Sequence, residues 1–216
     1  MPIKVKVLKY EALRYLITAL LSVSVNTGAE AADSIKVPHT QLVRVQDEIP
    51  GILVDLRYAG VRNITHKAIY QDSTAWLRPE TAHRLKLVQN ELRRQGYQLV
   101  IWDAYRPAWA QRKLWEAFPN ANFVAPPRQG SRHTRGTSVD VSLADLQGKL
   151  VEMPTDHDVF GPKASQSLSL SDISPTARRN ALILRNAMFQ NKFSGVPAEW
   201  WHYDLADWWK YPLIED

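Results

Sequence analysis

Thr137-Ser138-Val139-Asp140-Val141-Ser142-Leu143 alternates with a period of two. Thr137, Val139, Val141 and Leu143 share one face, and Ser138, Asp140 and Ser142 share the other. That pattern predicts a strand with a buried apolar side. An aspartate is disfavoured in a strand, so Asp140 between two valines marks a place where a carboxylate is needed. Upstream, 97–102 (YQLVIW) is a short apolar run that reads as a buried strand, leading into Asp103-Ala104-Tyr105-Arg106-Pro107. Before it, Pro79-Glu80 opens a helix over 79–95 in which Ala82, Leu85, Val88 and Leu92 recur at helical spacing, and Gly96 stops it. A helix is expected over 108–118, with Pro107 as its first residue and Arg106 at the junction, and 51–58 (GILVDLRY) has strand composition.

Downstream, Gln147-Gly148 predicts a turn into a second strand ending near Met153. Residues 154–173 form a polar loop long enough to be functional. Ser174-Pro175 caps a helix with Ala177, Ala181, Leu184 and Met188 on one stripe, which Gly195 is expected to end. Residues 199–205 (EWWHYDL) read as a further strand. Together these elements predict an α+β single domain, a central antiparallel sheet with flanking helices.

The chain has 216 residues, 45% of them hydrophobic, and no cysteine. One domain with an ample core fits that length. The absence of cysteine excludes disulfide scaffolds, thiolate metal sites and cysteine nucleophiles, leaving His, Asp and Glu to hold any metal. The net charge of +5 comes from scattered basic residues, which gives no reason to expect nucleic acid as a partner. Lys4, Lys6, Lys9 and Arg14 precede an apolar run over 15–25, followed by the small-x-small site Ala29-Glu30-Ala31. These three parts predict a secretory signal peptide over 1–31 and a domain over 32–216. The run is too short for a bilayer span of about 20 residues, so no membrane association is expected after cleavage. The signal would take with it four basic and two acidic residues, bringing the charge from +5 to +3.

Among six histidines, His133 and His202 each accompany a carboxylate on a well-formed element. A catalytic zinc takes three protein ligands of N or O type and leaves one position for water. His133, Asp140 and His202 would supply them, and Glu199 could take a proton from that water. Trp200 and Trp201 beside it would lower the local dielectric and raise the glutamate's pKa. By spacing alone, satisfied structural histidines fit the same residues, and Arg106 fits a simple ion pair with Asp103. His157 reads as a loop residue with no role, and the other tryptophans, Trp208 and Trp209 included, as core or groove-covering residues.

Four ordered stretches extend the reading. Ser131-Arg132-His133-Thr134-Arg135-Gly136-Thr137-Ser138-Val139-Asp140 resembles the S-x-H-x-x-G-x-A-x-D signature of zinc D,D-peptidases, and Glu199-Trp200-Trp201-His202 resembles their E-x-W-H motif. Asp103 to Pro107 resembles the D-A-Y-R-P segment of the VanX-type D-alanyl-D-alanine dipeptidases. Tyr58-Ala59 with Asn63-Ile64-Thr65 resembles that branch's Y-A-x-x-N-[FI]-T-G stretch. The resemblance implies Zn2+ held by His133, Asp140 and His202, with Glu199 as general base and Arg106 as oxyanion stabiliser. Ser131, Tyr58 and Asp158 would bind the dipeptide's ends, with Asp156 a rival for the ammonium. Three departures stand out: Ser138 replaces Ala, His66 replaces Gly, and Met153-Pro154-Thr155-Asp156-His157-Asp158 stands where the family reads M-G-x-x-F-D. The expectation is an exported, periplasmic zinc dipeptidase that cleaves D-alanyl-D-alanine to recover D-alanine from peptidoglycan. Its rivals are a D,D-carboxypeptidase or endopeptidase acting on stem peptides, and a non-catalytic zinc-bearing module. The sequence leaves the oligomeric state open.

Overall fold

The structure, a computed structural model, describes residues 42–169 and 171–216. The expected signal segment lies outside the described residues. The chain runs through β1 (Val43–Arg44), α1 (Val45–Glu48), β2 (Leu53–Val54), β3 (Trp76–Leu77), α2 (Pro79–Arg94), β4 (Tyr97–Asp103) and α3 (Ala108–Ala117). It continues through β5 (Ser138–Asp145), α4 (Pro175–Gln190), β6 (Phe193–Val196) and β7 (Glu199–Leu205). A five-stranded sheet in the order β2-β4-β5-β7-β6 forms the centre, and β1 pairs separately with β3. None of the helices among the described residues is long and apolar enough to cross a membrane.

The α+β class and its flanking helices match the sequence pattern. Ala82, Leu85, Val88 and Leu92 of α2 are fully buried. They join Val139, Val141 and Leu143 of β5 and Ala177, Ala181, Leu184 and Met188 of α4 in one core. Ser174 caps α4 by accepting a 3.0 Å bond from the Ala177 amide. Gly96, at φ 86°, follows the end of α2.

Several expectations need correction. The sheet is mixed, because β2 runs parallel to β4; parallel neighbours need a crossover, and α2 supplies it. The strand expected over 51–58 shrinks to Leu53–Val54 before a 3-10 turn at Arg57–Ala59. The turn at Gly148 forms, with the Asp145 carboxylate accepting from the Gln147 and Lys149 amides. The strand after it does not: Leu150 makes one bridge to Ala144, and Pro154, which has no N–H, cannot extend a ladder. Gly195 lies within β6 rather than at the end of α4, and Pro107 is the N-cap of α3 rather than its first residue. Nor does the polar face of β5 meet solvent: Ser138, Asp140 and Ser142 are all buried.

Candidate metal centre

Sheet register does most of the assembly. Asp140 on β5 is the direct neighbour of His202 on β7, and such antiparallel partners present side chains to the same face. His133 arrives from a 3-10 turn at His133–Arg135 that ends on Gly136 at φ 71°. A Cβ on Gly136 would meet Leu42 at 2.7 Å, so close packing and backbone angle both demand glycine. Glu199 lies three residues before His202, and a regular strand would send them to opposite faces. The β6–β7 register shifts between Gly195, opposite Tyr203, and Val196, opposite Glu199. This irregularity brings the Glu199 carboxylate to 3.8 Å from His202 Nδ1. A second shift, between Ile101 and Asp103 of β4, sits opposite Asp140.

His133 Nε2, Asp140 Oδ1 and His202 Nδ1 form a triangle with sides of 3.2, 3.4 and 3.0 Å. Tetrahedral bonds of about 2.0–2.2 Å space donor atoms about 3.3–3.6 Å apart, so the triangle fits a small divalent cation after slight expansion. The outer partners dictate which nitrogens carry hydrogen. His133 donates from Nδ1 to the Ala104 carbonyl at 2.7 Å, and His202 donates from Nε2 to Asp204 Oδ1 at 3.0 Å. In the neutral imidazoles both inward nitrogens are then lone pairs facing a carboxylate oxygen, an arrangement that is favourable only with a proton or a metal cation among them. His133, Asp140 and His202 are thus a group able to hold a metal ion.

Electrostatics agree. Burial alone would raise the Asp140 carboxyl, but His133, with bonds from His157 and His202, holds it well below the usual carboxylate range. Burial would lower His202, yet Asp204 and Asp140 carry it well above the ordinary histidine value. The pocket draws positive charge, whether protons or a metal. Burial pushes the Glu199 carboxyl up to about 7.

A cavity of about 470 Å³ opens over this triangle, and Tyr58, Arg106, Ser131, Asp158, Glu199 and Trp201 line it. Arg106 is both an ion-pair partner and a cavity residue: Asp103 binds it through Nε and Nη2 at 3.0 and 2.6 Å, and Gln111 accepts from Nη1 at 2.9 Å. Its guanidinium lies 4.9 Å from the Tyr58 ring centre. Asp158 accepts from the Tyr58 hydroxyl at 3.0 Å and the Ile64 amide at 3.1 Å. Asp156 instead pairs with Arg57 at 3.1 Å and keeps 57% of its side chain exposed. It is not a lining residue, so between the two rivals only Asp158 faces the cavity. The Ser131 hydroxyl oxygen accepts from the His133 amide at 3.2 Å.

Two partners, His157 and Asp204, escaped the sequence reading. His157, expected to be idle, is buried with Nε2 3.1 Å from Asp140 Oδ2. Asp204 orients His202 and accepts from the Ser138 hydroxyl at 2.6 Å. The i, i+2 spacing of His202 and Asp204 on a strand was a usable signal. Asp103 ties Arg106 to Tyr70, whose hydroxyl donates to it at 2.6 Å. His66, where the family has Gly, keeps the left-handed backbone at φ 54°. Trp200 and Trp201 are buried as expected, but Trp209 is 63% exposed and not core.

Residues 38–213 match the model of the Peptidase_M15 family described as D-ala-D-ala dipeptidase. A D-alanyl-D-alanine dipeptidase of Escherichia coli (strain K12) is 37% identical over 177 residues, covering 82% of this chain and 91% of the relative. The chain belongs to the D-Ala-D-Ala dipeptidase family. It is therefore an enzyme of a metallopeptidase family whose members hydrolyse dipeptides. A D-alanyl-D-alanine dipeptidase of Enterococcus faecium is 30% identical over 183 residues, covering 74% of this chain and 90% of the relative. A crystal structure of a mutant vancomycin resistance D,D-pentapeptidase VanY, in complex with Zn(II), aligns with a TM-score of 0.39 at 16% identity. That alignment covers 61% of this chain and 74% of the VanY chain.

Proposed function

We propose that this dipeptidase hydrolyses D-alanyl-D-alanine to two D-alanines at a zinc ion held by His133, Asp140 and His202. The observation that carries the reading is the inward-facing set of two imidazole nitrogens and one carboxylate oxygen, 3.0–3.4 Å apart, with Glu199 at its edge. When bound, zinc supplies Lewis acidity, which acidifies water and polarises a carbonyl.

The protein's own groups supply the rest. Glu199 accepts a proton from the attacking water and returns it to the leaving amine, and burial, which raises its carboxyl, strengthens it as a base for that exchange. Arg106, buried and held on two sides by Asp103 and Gln111, offers a fixed positive charge to the oxyanion that develops on the scissile carbonyl. Asp158, with Tyr58 beside it, pairs with the substrate ammonium, and Ser131 donates to the far end of the dipeptide. A free ammonium demanded by a buried carboxylate favours a dipeptide over a longer stem, whose corresponding nitrogen is an uncharged amide. On the same reading residues 1–31 export the enzyme, and a dipeptidase outside the cytoplasm recovers D-alanine from wall peptides without draining the cytoplasmic dipeptide pool.

The test sets D-Ala-D-Ala against L-Ala-L-Ala and against a pentapeptide stem ending in D-Ala-D-Ala, together with metal analysis of the purified protein. Expected are hydrolysis of the free D,D-dipeptide alone and one zinc per chain. Preference for the pentapeptide would replace the reading with a D,D-carboxypeptidase. Cell fractionation tests export, and full-length protein confined to the cytoplasm would overturn it.

A further inference from the structure

His157 occupies the position where the resembling family pattern carries Phe, and its surroundings suit an aromatic ring. Tyr58, Trp102 and Trp201 lie with ring centres 5.6, 5.6 and 5.8 Å from the imidazole, which is fully buried. A benzene ring would fill this cage, so packing alone does not call for an imidazole. What the imidazole adds is polar. Its Nε2 lies 3.1 Å from Asp140 Oδ2, while the other Asp140 oxygen, Oδ1, faces His133 and His202. Its Nδ1 lies 3.4 Å from Asp158 Oδ2, and makes no hydrogen bond among the described residues.

We propose that His157 is a positioning residue that ties Asp140 Oδ2 back into the protein, so that Asp140 presents Oδ1 alone to the metal. The inference rests on the metal centre proposed above. Asp140 Oδ2 takes its other short contacts from no donor among the described residues, and a carboxylate oxygen left without one in an aromatic cage would turn toward the cation. Two-oxygen binding would then occupy the side of the metal that water needs. Because His157 also abuts Asp158, one ring sets the spacing between the metal's carboxylate and the carboxylate assigned to the substrate ammonium. Outer partners of this kind typically change metal affinity by about 10–100-fold.

The experiment titrates Zn(II) against a competing chelator, and Co(II) followed by its visible absorption, into metal-free wild type, His157→Phe and His157→Gln. His157→Phe keeps the cage and loses the donor; His157→Gln has an amide N–H able to reach Oδ2. Expected for His157→Phe are a dissociation constant raised about 10–100-fold and weaker cobalt bands, as higher coordination numbers produce. His157→Gln should recover most of both. Wild-type affinity and cobalt spectrum in His157→Phe would overturn the inference. If His157→Phe does not fold, His157→Met takes its place as a donor-free side chain of similar length to Gln, and equal affinities in the Met and Gln variants would overturn it. Failure of the underlying centre is read separately: wild type would then bind no metal, or His202→Ala would bind it as well as wild type.

Discussion

Asp140, His202 and Glu199 stand on strands in the middle of the sheet, whereas Tyr58 and Asp158 face them from a 3-10 turn and an irregular loop. The strand wall is set by backbone pairing, with Asp140 and His202 direct neighbours across β5 and β7. Side chains hold the loop wall. Arg57 pairs with Asp55 and Asp156 at 3.2 and 3.1 Å and lies over the Trp102 ring, and Tyr58 bonds Asp158. Counted by position, the departures at His66, Pro154 and His157 fall in the loop segments next to Tyr58 and Asp158, and only Ser138 falls on the strands. A backbone ladder places a side chain whatever its neighbours are, so it suits the chemistry. A wall built from side-chain contacts can be retuned by single substitutions, so it suits the choice of substrate.

The largest effect should follow from removing a strand-borne ligand. His202→Ala deletes one corner of the triangle and leaves Asp204 without its imidazole partner. Metal content by elemental analysis should fall to background, and D-Ala-D-Ala hydrolysis with it. Retained zinc would break the assignment of the strand wall to the metal.

Glu199→Gln comes next. It should keep its zinc while kcat drops about 10²–10⁴-fold, the usual range for a general base. The same variant has a second readout. Burial holds the Glu199 carboxyl near 7 in the fold, against an ordinary value of 4.5. Between those values the folded, metal-free chain binds more protons than the unfolded one, so stability falls as pH rises through that window and levels off above it. Glu199→Gln should flatten this slope and stabilise the metal-free protein at pH 8 by on the order of 2–3 kcal/mol. Denaturant titrations at pH 5 and pH 8 measure it, and an unchanged slope would remove Glu199 as its source.

On the loop wall the expectation is different in kind. If Asp158 pairs with the substrate ammonium as proposed, Asp158→Asn removes a charge felt by the bound ground state and the transition state alike, so KM should rise about 10–100-fold with kcat nearly unchanged. A loss confined to kcat would mean that the two walls do not divide the work between chemistry and binding.

The same division explains what could be read from the sequence. Period-two alternation through Asp140 and the EWWHYDL run exposed both strands of the chemical wall. Spacing could not explain why Glu199 and His202, three apart, share a cavity, because the β6–β7 irregularity that joins them leaves no periodic trace. The role of His157 was illegible for a related reason: an irregular loop has no period from which to infer direction. The parallel pairing of β2 was hidden because two residues of strand are too few for any pattern to show. Asp156 and Asp158 could not be separated until Arg57 was seen to hold the first and Tyr58 the second.

Ser138→Ala is the mildest way to probe the strand wall, and it restores the alanine of the family pattern. The Ser138 hydroxyl donates to Asp204 Oδ1 at 2.6 Å, the same oxygen that accepts from His202 Nε2. The methyl of alanine fits the vacated space, and Asp204 keeps Arg132 as a partner on its other oxygen. No group is left wholly unpaired and the acceptor is shared among three donors, so the loss falls at the low end of the range for one hydrogen bond to a charged acceptor, about 1.5 kcal/mol. If that energy passes through Asp204 to the imidazole, zinc affinity changes by about tenfold or less, and kcat by no more. A drop beyond a hundredfold would show that this serine is part of the metal's support rather than an accessory to it. The strand wall would then be as dependent on single side chains as the loop wall opposite.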